Sequence, residues 1–316
     1  GTVTLMLQGL WATTLKARGR QSLAVFLEAG FWIAASLGGV LFVLFPVIGS
    51  PPIIFGLVVY AAVLWAWTVA RYLRVRTPYR INDLLDNLRF SSPLMTTALL
   101  SLLVSSAGRL IIGTASGAEA VGLYAVLFRA TALPLIGHQL LLIGFFRSIF
   151  TSREDLLTRM LALIPTGVTF LAVVFWLASD HLGLVLGTRF AETFAKYRFE
   201  GLLILAQTVL WSAIALNELL VSRLLIAASV SRFCAVYLLV AFPALFYITL
   251  ETGNDVGGGG FIRPFVIGHT VLMLGFYLVQ CVASWMNGHL FVRLWGLVLC
   301  CFSSLLGAVL FFEVSR

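Results

Sequence analysis

Two arginines stand where a lipid-facing sequence should carry none. Between Leu99 and Leu140 the chain reads LLSLLVSSAGRLIIGTASGAEAVGLYAVLFRATALPLIGHQL, two apolar runs joined by a short Gly-rich turn, with Arg109 in the first and Arg129 in the second. An arginine inside a bilayer costs about 2.5–3.5 kcal/mol even on permissive insertion scales, so such a pair calls for a water-filled cavity, a counter-ion or an anionic substrate. Guanidinium presents a planar fork that matches phosphate oxygens in two-point contact, which makes a pyrophosphate or an acidic sugar a chemically sensible guest. The alternative is snorkelling to the headgroups, easier for Arg109, nearer the boundary, than for Arg129.

The same stretch contains His138 and Gln139 beside Pro134 and Gly137, a kink next to two polar side chains, and these join the arginines as substrate-binding candidates. Glu218 with Asn217, and Glu28 about one turn inside another apolar run, are candidates for taking up a proton or a sodium ion; a static pairing with a cation is the competing reading. A lone histidine such as His138 or His269 also serves simply as an interhelical hydrogen bonder. Cys234, Cys281, Cys300 and Cys301 lie in apolar runs without zinc-type spacing, so neither a metal, a cofactor nor a disulfide framework is expected. There is no HExxH and no G-x-S-x-G, and Asp83 with Asp86 on RINDLLDNLRF reads as the polar face of an entry helix; no catalytic residue is assigned.

These groups need elements to position them, and composition says which. Of 316 residues 60% are hydrophobic and 11% charged, against about 25% charged in a soluble chain. The expected fold is an all-α polytopic membrane protein. Stretches near the roughly 20 residues that cross a bilayer lie at Leu23–Gly49, Ile53–Leu73, Pro93–Gly113, Val121–Phe146, Leu157–Leu186, Leu202–Ala227, Cys234–Leu250, Pro264–Met286 and Leu290–Phe312. That predicts about nine transmembrane helices plus a partial one over Gly1–Leu15.

The net charge of +8 reflects orientation. Lys16, Arg18 and Arg20 share one connection, Arg71, Arg74, Arg76, Arg80 and Arg89 the next but one, then Arg147, Arg153 and Arg159, then Arg223 and Arg232, and last Arg293. Every second connection is basic, the mark of the cytoplasmic side, and nucleic acid is not needed to explain the charge. With Lys16 inside, Arg109 lies in the outer third of an outward span and Arg129 about 12 Å down the next one, at 1.5 Å per residue. Helices joined by so short a turn are antiparallel neighbours, which puts both charges in one outer-to-middle zone. Glu192, four residues before Lys196, marks an interfacial amphipathic stretch, and Gly257–Gly260 reads as a flexible external turn.

The stretch AGRLIIGTASGAEAVGLYAVLFRATALPL resembles the seventh and eighth helices of Wzx-type polysaccharide flippases, members of the multidrug/oligosaccharidyl-lipid/polysaccharide (MOP) exporter superfamily. Arg109, Gly113, Gly117, Val121, Gly122, Tyr124 and Arg129 fill positions of that family's pattern, while Gly108 stands where it usually has an acid. LKARGRQSLAVFLEAGFW is similar to the same family's fourth-to-fifth helix connection, VLGTRFAETF to the external turn after its ninth helix and SRLLIAASVSRF to its tenth-to-eleventh connection, in order along the chain.

The resemblance implies a chain without roughly the first three helices: residues 1–80 as the remnant of an N-terminal helical lobe with its cytoplasmic connection, and 81–316 as a C-terminal lobe. It further implies a multi-pass protein of a bacterial inner membrane that flips an undecaprenyl-pyrophosphate-linked oligosaccharide by alternating access, among membrane lipids and with possible H+ or Na+ coupling. Two alternatives stand beside it: a membrane polymerase or ligase acting on the same lipid-linked sugars, and a truncated, non-transporting scaffold. The enzyme should show a long external loop, and the longest external stretch, Asp180–Glu200, is short.

Overall fold

A computed structural model describes residues 2–44, 51–74, 81–178, 181, 187–255, 262–289 and 291–314. The helices are α1 (Thr2–Ala17), α2 (Gln21–Leu44), α3 (Pro51–Arg74), α4 (Ile81–Phe128), α5 (Ala132–Thr151), α6 (Glu154–Leu177), α7 (Thr188–Lys196), α8 (Arg198–Arg223), α9 (Ala227–Asp255), α10 (Ile262–Met286) and α11 (Val292–Val314), with a 3-10 turn at Arg129–Thr131. No strand occurs among the described residues. In lipid every backbone polar group must be satisfied within the protein, and helices do this one segment at a time. The Gly257–Gly260 turn, the connection 75–80 and most of Asp180–Leu186 lie outside the described residues.

Seven stretches among the described residues are long and apolar enough to cross a bilayer. The sequence suggests about nine. The first of those, Leu23–Gly49, lies partly outside the described residues, and two others fall within a single 61-residue stretch, Ser91–Thr151. Sixty-one residues of straight helix would extend about 90 Å, three times a bilayer core. The chain instead turns back at Gly117, whose φ of 81° and ψ of −175° are accessible to glycine and strained for any residue with a Cβ.

The contacts prove the reversal. A Cβ placed on Gly108 would come within 2.8 Å of the Tyr124 hydroxyl, and the Arg109 guanidinium lies 5.3 Å from the centre of the Phe128 ring. In one straight helix residues 108 and 124 would be about 24 Å apart. The two limbs of α4 are therefore antiparallel and closely packed.

The chain divides into two compact units. The first comprises Gly1–Leu85 and Ile143–Ser148. Within it α2 packs along α3, and α1 rests on both. The Tyr60 hydroxyl lies 3.0 Å from Gln8 Oε1 and 3.1 Å from the Leu27 carbonyl, Trp11 Nε1 donates to Thr68 Oγ1 at 3.0 Å, and Lys16 pairs with Glu28 at 2.5 Å. These polar ties cross the faces that small residues such as Ala12 and Ala24 leave closely apposed.

The second unit comprises Asp86–Leu142 and Ile149–Arg316 and is organised around α8. Its sequence GLLILAQTVLWSAIALN is apolar on every side, the pattern of a helix with no outward face. It is buried from Glu200 through Leu210 and touches α6, α7, α9, α10, α11 and the 3-10 turn. At its end Arg223 donates to the carbonyl of Ile149 through Nη1 and to that of Ser152 through Nη2 at 2.5 Å. That satisfies carbonyls which a helix terminus leaves open. Beside α8, the nine-residue α7 is amphipathic: Phe190 and Phe194 stack at 5.4 Å and meet Phe175 edge-on, while Glu192 and Lys196 stay outside.

Candidate functional site

The hairpin in α4 positions both arginines. Its reversal at Gly117 brings the residue after Gly108 alongside the residue before Arg129, and Arg109 covers the face of Phe128 in a cation–π contact. Arg129 opens the 3-10 turn in which the helix tightens before α5 resumes. The interruption thus precedes the kink expected at Pro134, which occupies the first turn of α5 where its missing N–H costs least. Arg109 and Arg129 are both exposed, and neither has a carboxylate partner among the described residues.

Beneath this exposed pair the turn closes over polar ground. Phe128 and Thr131, on either side of Arg129, line a cavity of about 20 Å³ together with Ser105, Gln207, Thr208 and His269. That volume suits about one water molecule. His269 Nε2 lies 2.9 Å from the Val104 carbonyl, so it carries the ring proton and leaves Nδ1 as an acceptor without a partner among the described residues. Gln207 donates to Thr270 Oγ1 at 2.7 Å and to the Val266 carbonyl at 3.1 Å, and Thr270 in turn donates to Val266. A hydrogen-bonded seam thus joins α4, α8 and α10 under the arginines.

The other sequence candidates separate. His138 faces inward, 1% exposed, with Nδ1 2.8 Å from Ser212 Oγ and its ring edge-on to Trp211, while the adjacent Gln139 is exposed. One helical step of about 100° separates a core ligand from a surface one. Asn217 is buried and donates to Cys281 Sγ at 3.6 Å; Glu218, next to it, is half-buried with its carboxyl towards Ser101. Glu28 belongs to the other unit, where Lys16 holds its carboxylate and Gln8 Nε2 donates to its carbonyl at 2.6 Å. Cys234, Cys281, Cys300 and Cys301 are free thiols, and no group of three metal-ligating side chains comes together among the described residues.

The sequence reading overlooked Gln207, Thr208, Ser212 and Thr270. Their signal was present: polar residues within a span face the bundle interior, and three of them fall within six positions of α8. Gly108 also acquires a reason. The place a side chain would take there is filled by the phenol of Tyr124, which is 2% exposed and packs edge-on against Phe265 at 5.7 Å.

No curated protein and no solved structure matches the chain. A family model described as "Polysaccharide biosynthesis protein" matches residues 32–140. The matched segment contains the whole hairpin, Arg109, Arg129, His138 and Gln139. The chain is a multi-pass, all-helical membrane protein that is similar, over those residues, to polysaccharide biosynthesis proteins.

Proposed function

We propose that the chain is a flippase-type transporter of the MOP class in a bacterial inner membrane. It moves an undecaprenyl-pyrophosphate-linked oligosaccharide from the cytoplasmic to the outer leaflet by alternating access, with residues 1–80 and 81–316 belonging to its two helical lobes. The nine-crossing topology belongs to this reading, with α2 and each limb of the hairpin counted separately. It is a carrier rather than an enzyme, and needs no cofactor.

The observation that carries the reading is the arginine pair: two guanidiniums, exposed and without carboxylate partners among the described residues, carried on one limb of the hairpin and on the turn that follows the other, inside the family-matched segment. Cations so placed in a lipid-crossing region suit the pyrophosphate or acidic sugars of such a substrate. His138 and Gln139 complete the substrate-binding set, Gln139 from the exposed side. Glu218 with Asn217, and Glu28, are the groups through which H+ or Na+ coupling would act. Lys16 already neutralises Glu28, which favours Glu218 among them.

The test is translocation of lipid-linked oligosaccharide in cells expressing the protein at its normal level. A charge-assisted phosphate contact contributes about 1.5–3 kcal/mol, or about ten- to a hundredfold. Arg129→Ala should lower transport by that factor, and Arg129→Lys, which keeps the charge and loses the fork, by less. Unimpaired transport by Arg129→Ala would remove the site assignment.

A further inference from the structure

The basic connections of the first unit do more than mark its inner end. Arg18 and Arg20 flank Gly19, whose φ of +76° turns the chain from α1 into α2. α2 and α3 then pack antiparallel and return the chain to the same end, where Arg71 lies in the last turn of α3. All three arginines line one cavity of about 270 Å³. Apart from Thr14, its remaining wall is apolar and aromatic, with Trp11, Phe26 and Trp67 among the lining side chains.

Charge accounting separates these arginines from their neighbour. Lys16, in the same connection, is neutralised by Glu28 at 2.5 Å. Arg18, Arg20 and Arg71 have no carboxylate partner among the described residues, and no acidic side chain lines the cavity. The preference of cytoplasmic connections for arginine accounts for their presence at this end. It does not account for three exposed like charges lining one apolar-walled cavity, where a bound anion would relieve their mutual repulsion.

We infer that this cavity binds the phosphate headgroup of an anionic lipid, with the guanidiniums on the phosphate oxygens and the first part of the hydrocarbon chain along the aromatic wall. Phe26 is 67% and Trp67 50% exposed, so the wall opens sideways, the direction from which a lipid arrives. The volume lies just below the roughly 300–1,000 Å³ of ordinary ligand pockets, enough for a headgroup and the start of a tail rather than a whole lipid. The site lies entirely within the first unit and does not depend on the transport reading. A bulk phospholipid and a polyprenyl pyrophosphate share the recognised chemistry, a phosphate on an apolar chain.

Binding to the purified full chain is measured by native mass spectrometry, with phosphatidylglycerol and phosphatidylcholine of equal acyl length as probes. The unsubstituted protein should hold phosphatidylglycerol about tenfold more tightly. Arg18→Gln with Arg71→Gln should abolish that preference while leaving phosphatidylcholine binding unchanged, which also reports that the unit has kept its fold. Arg232→Gln with Arg293→Gln, which alters basic residues of other inner connections, should retain the preference. Equal binding of the two lipids by the unsubstituted protein would overturn the proposal, as would an equal loss in both double variants. Competition by undecaprenyl pyrophosphate then assigns the source: displacement of phosphatidylglycerol at an arginine-dependent concentration points to the prenyl lipid, and its persistence to bulk phospholipid.

Discussion

Gly108→Ala tests the geometry on which the arginine pair depends. The new Cβ would lie 2.8 Å from the Tyr124 hydroxyl oxygen and 2.9 Å from its Cζ. Carbon atoms pack best at about 3.5–4.0 Å, so the methyl overlaps the ring by roughly 0.6 Å or more. Tyr124 has little room to yield: it is 2% exposed, with Phe265 at 5.7 Å and Phe128 at 5.9 Å. Overpacking of this kind costs about 1–3 kcal/mol. At about 2–4 °C per kcal/mol the midpoint should fall by roughly 2–12 °C.

The assay is thermal unfolding of the purified protein in detergent at one fixed heating rate, since membrane proteins often unfold irreversibly and the apparent midpoint depends on the scan. Adding Tyr124→Phe removes the nearest atom and leaves Cζ at 2.9 Å, so it should recover part of the loss. Because Phe128 carries Arg109 on its face, the same displacement should also disturb the arginine. A Gly108→Ala protein with the unsubstituted midpoint would refute the reasoning. The limbs of α4 would then be packed more loosely than the close approach of Gly108 and Tyr124 requires.

Two further substitutions probe the second unit. Arg223→Ala removes donors from the Ile149 and Ser152 carbonyls, and charge-assisted bonds of this kind contribute about 1.5–3 kcal/mol each. The midpoint should fall accordingly, and Arg223→Lys, able to reach only one carbonyl well, should recover about half. Ser212→Ala strips His138 Nδ1 of its partner in the core, at a cost of about 1–3 kcal/mol. It should lower stability and, because His138 belongs to the proposed substrate-binding set, transport per folded molecule as well; unchanged transport by the folded variant would remove His138 from that set.

Much of this architecture was legible in the residues. Apolar runs of bilayer length determine helices because hydrocarbon offers the backbone no other partner, and the glycines between Arg109 and Arg129 mark the only short reversal available. Both arginines were therefore expected in one outer-to-middle zone of adjacent helices before any contact was known. What the residues left open was rotation of each helix about its own axis and the meeting of segments distant in sequence. Pattern alone could not send His138 inward to Ser212 and Gln139 outward, since both sit in an apolar run with no polar face to orient it.

Glu28 read either as an ion-coupling acid or as half of a static pair, because the partner that decides between them, Lys16, lies across a turn on another helix. Arg18, Arg20 and Arg71 read only as a sign of orientation, until the pairing of α2 with α3 closed a cavity around them. The sequence by itself determined a helical membrane protein with two arginines on neighbouring apolar runs, because bilayer thickness and backbone hydrogen bonding act on each segment separately. Only the tertiary structure decided which charges are paired, which are exposed and which share a cavity, because those outcomes depend on the faces that neighbouring helices present to one another.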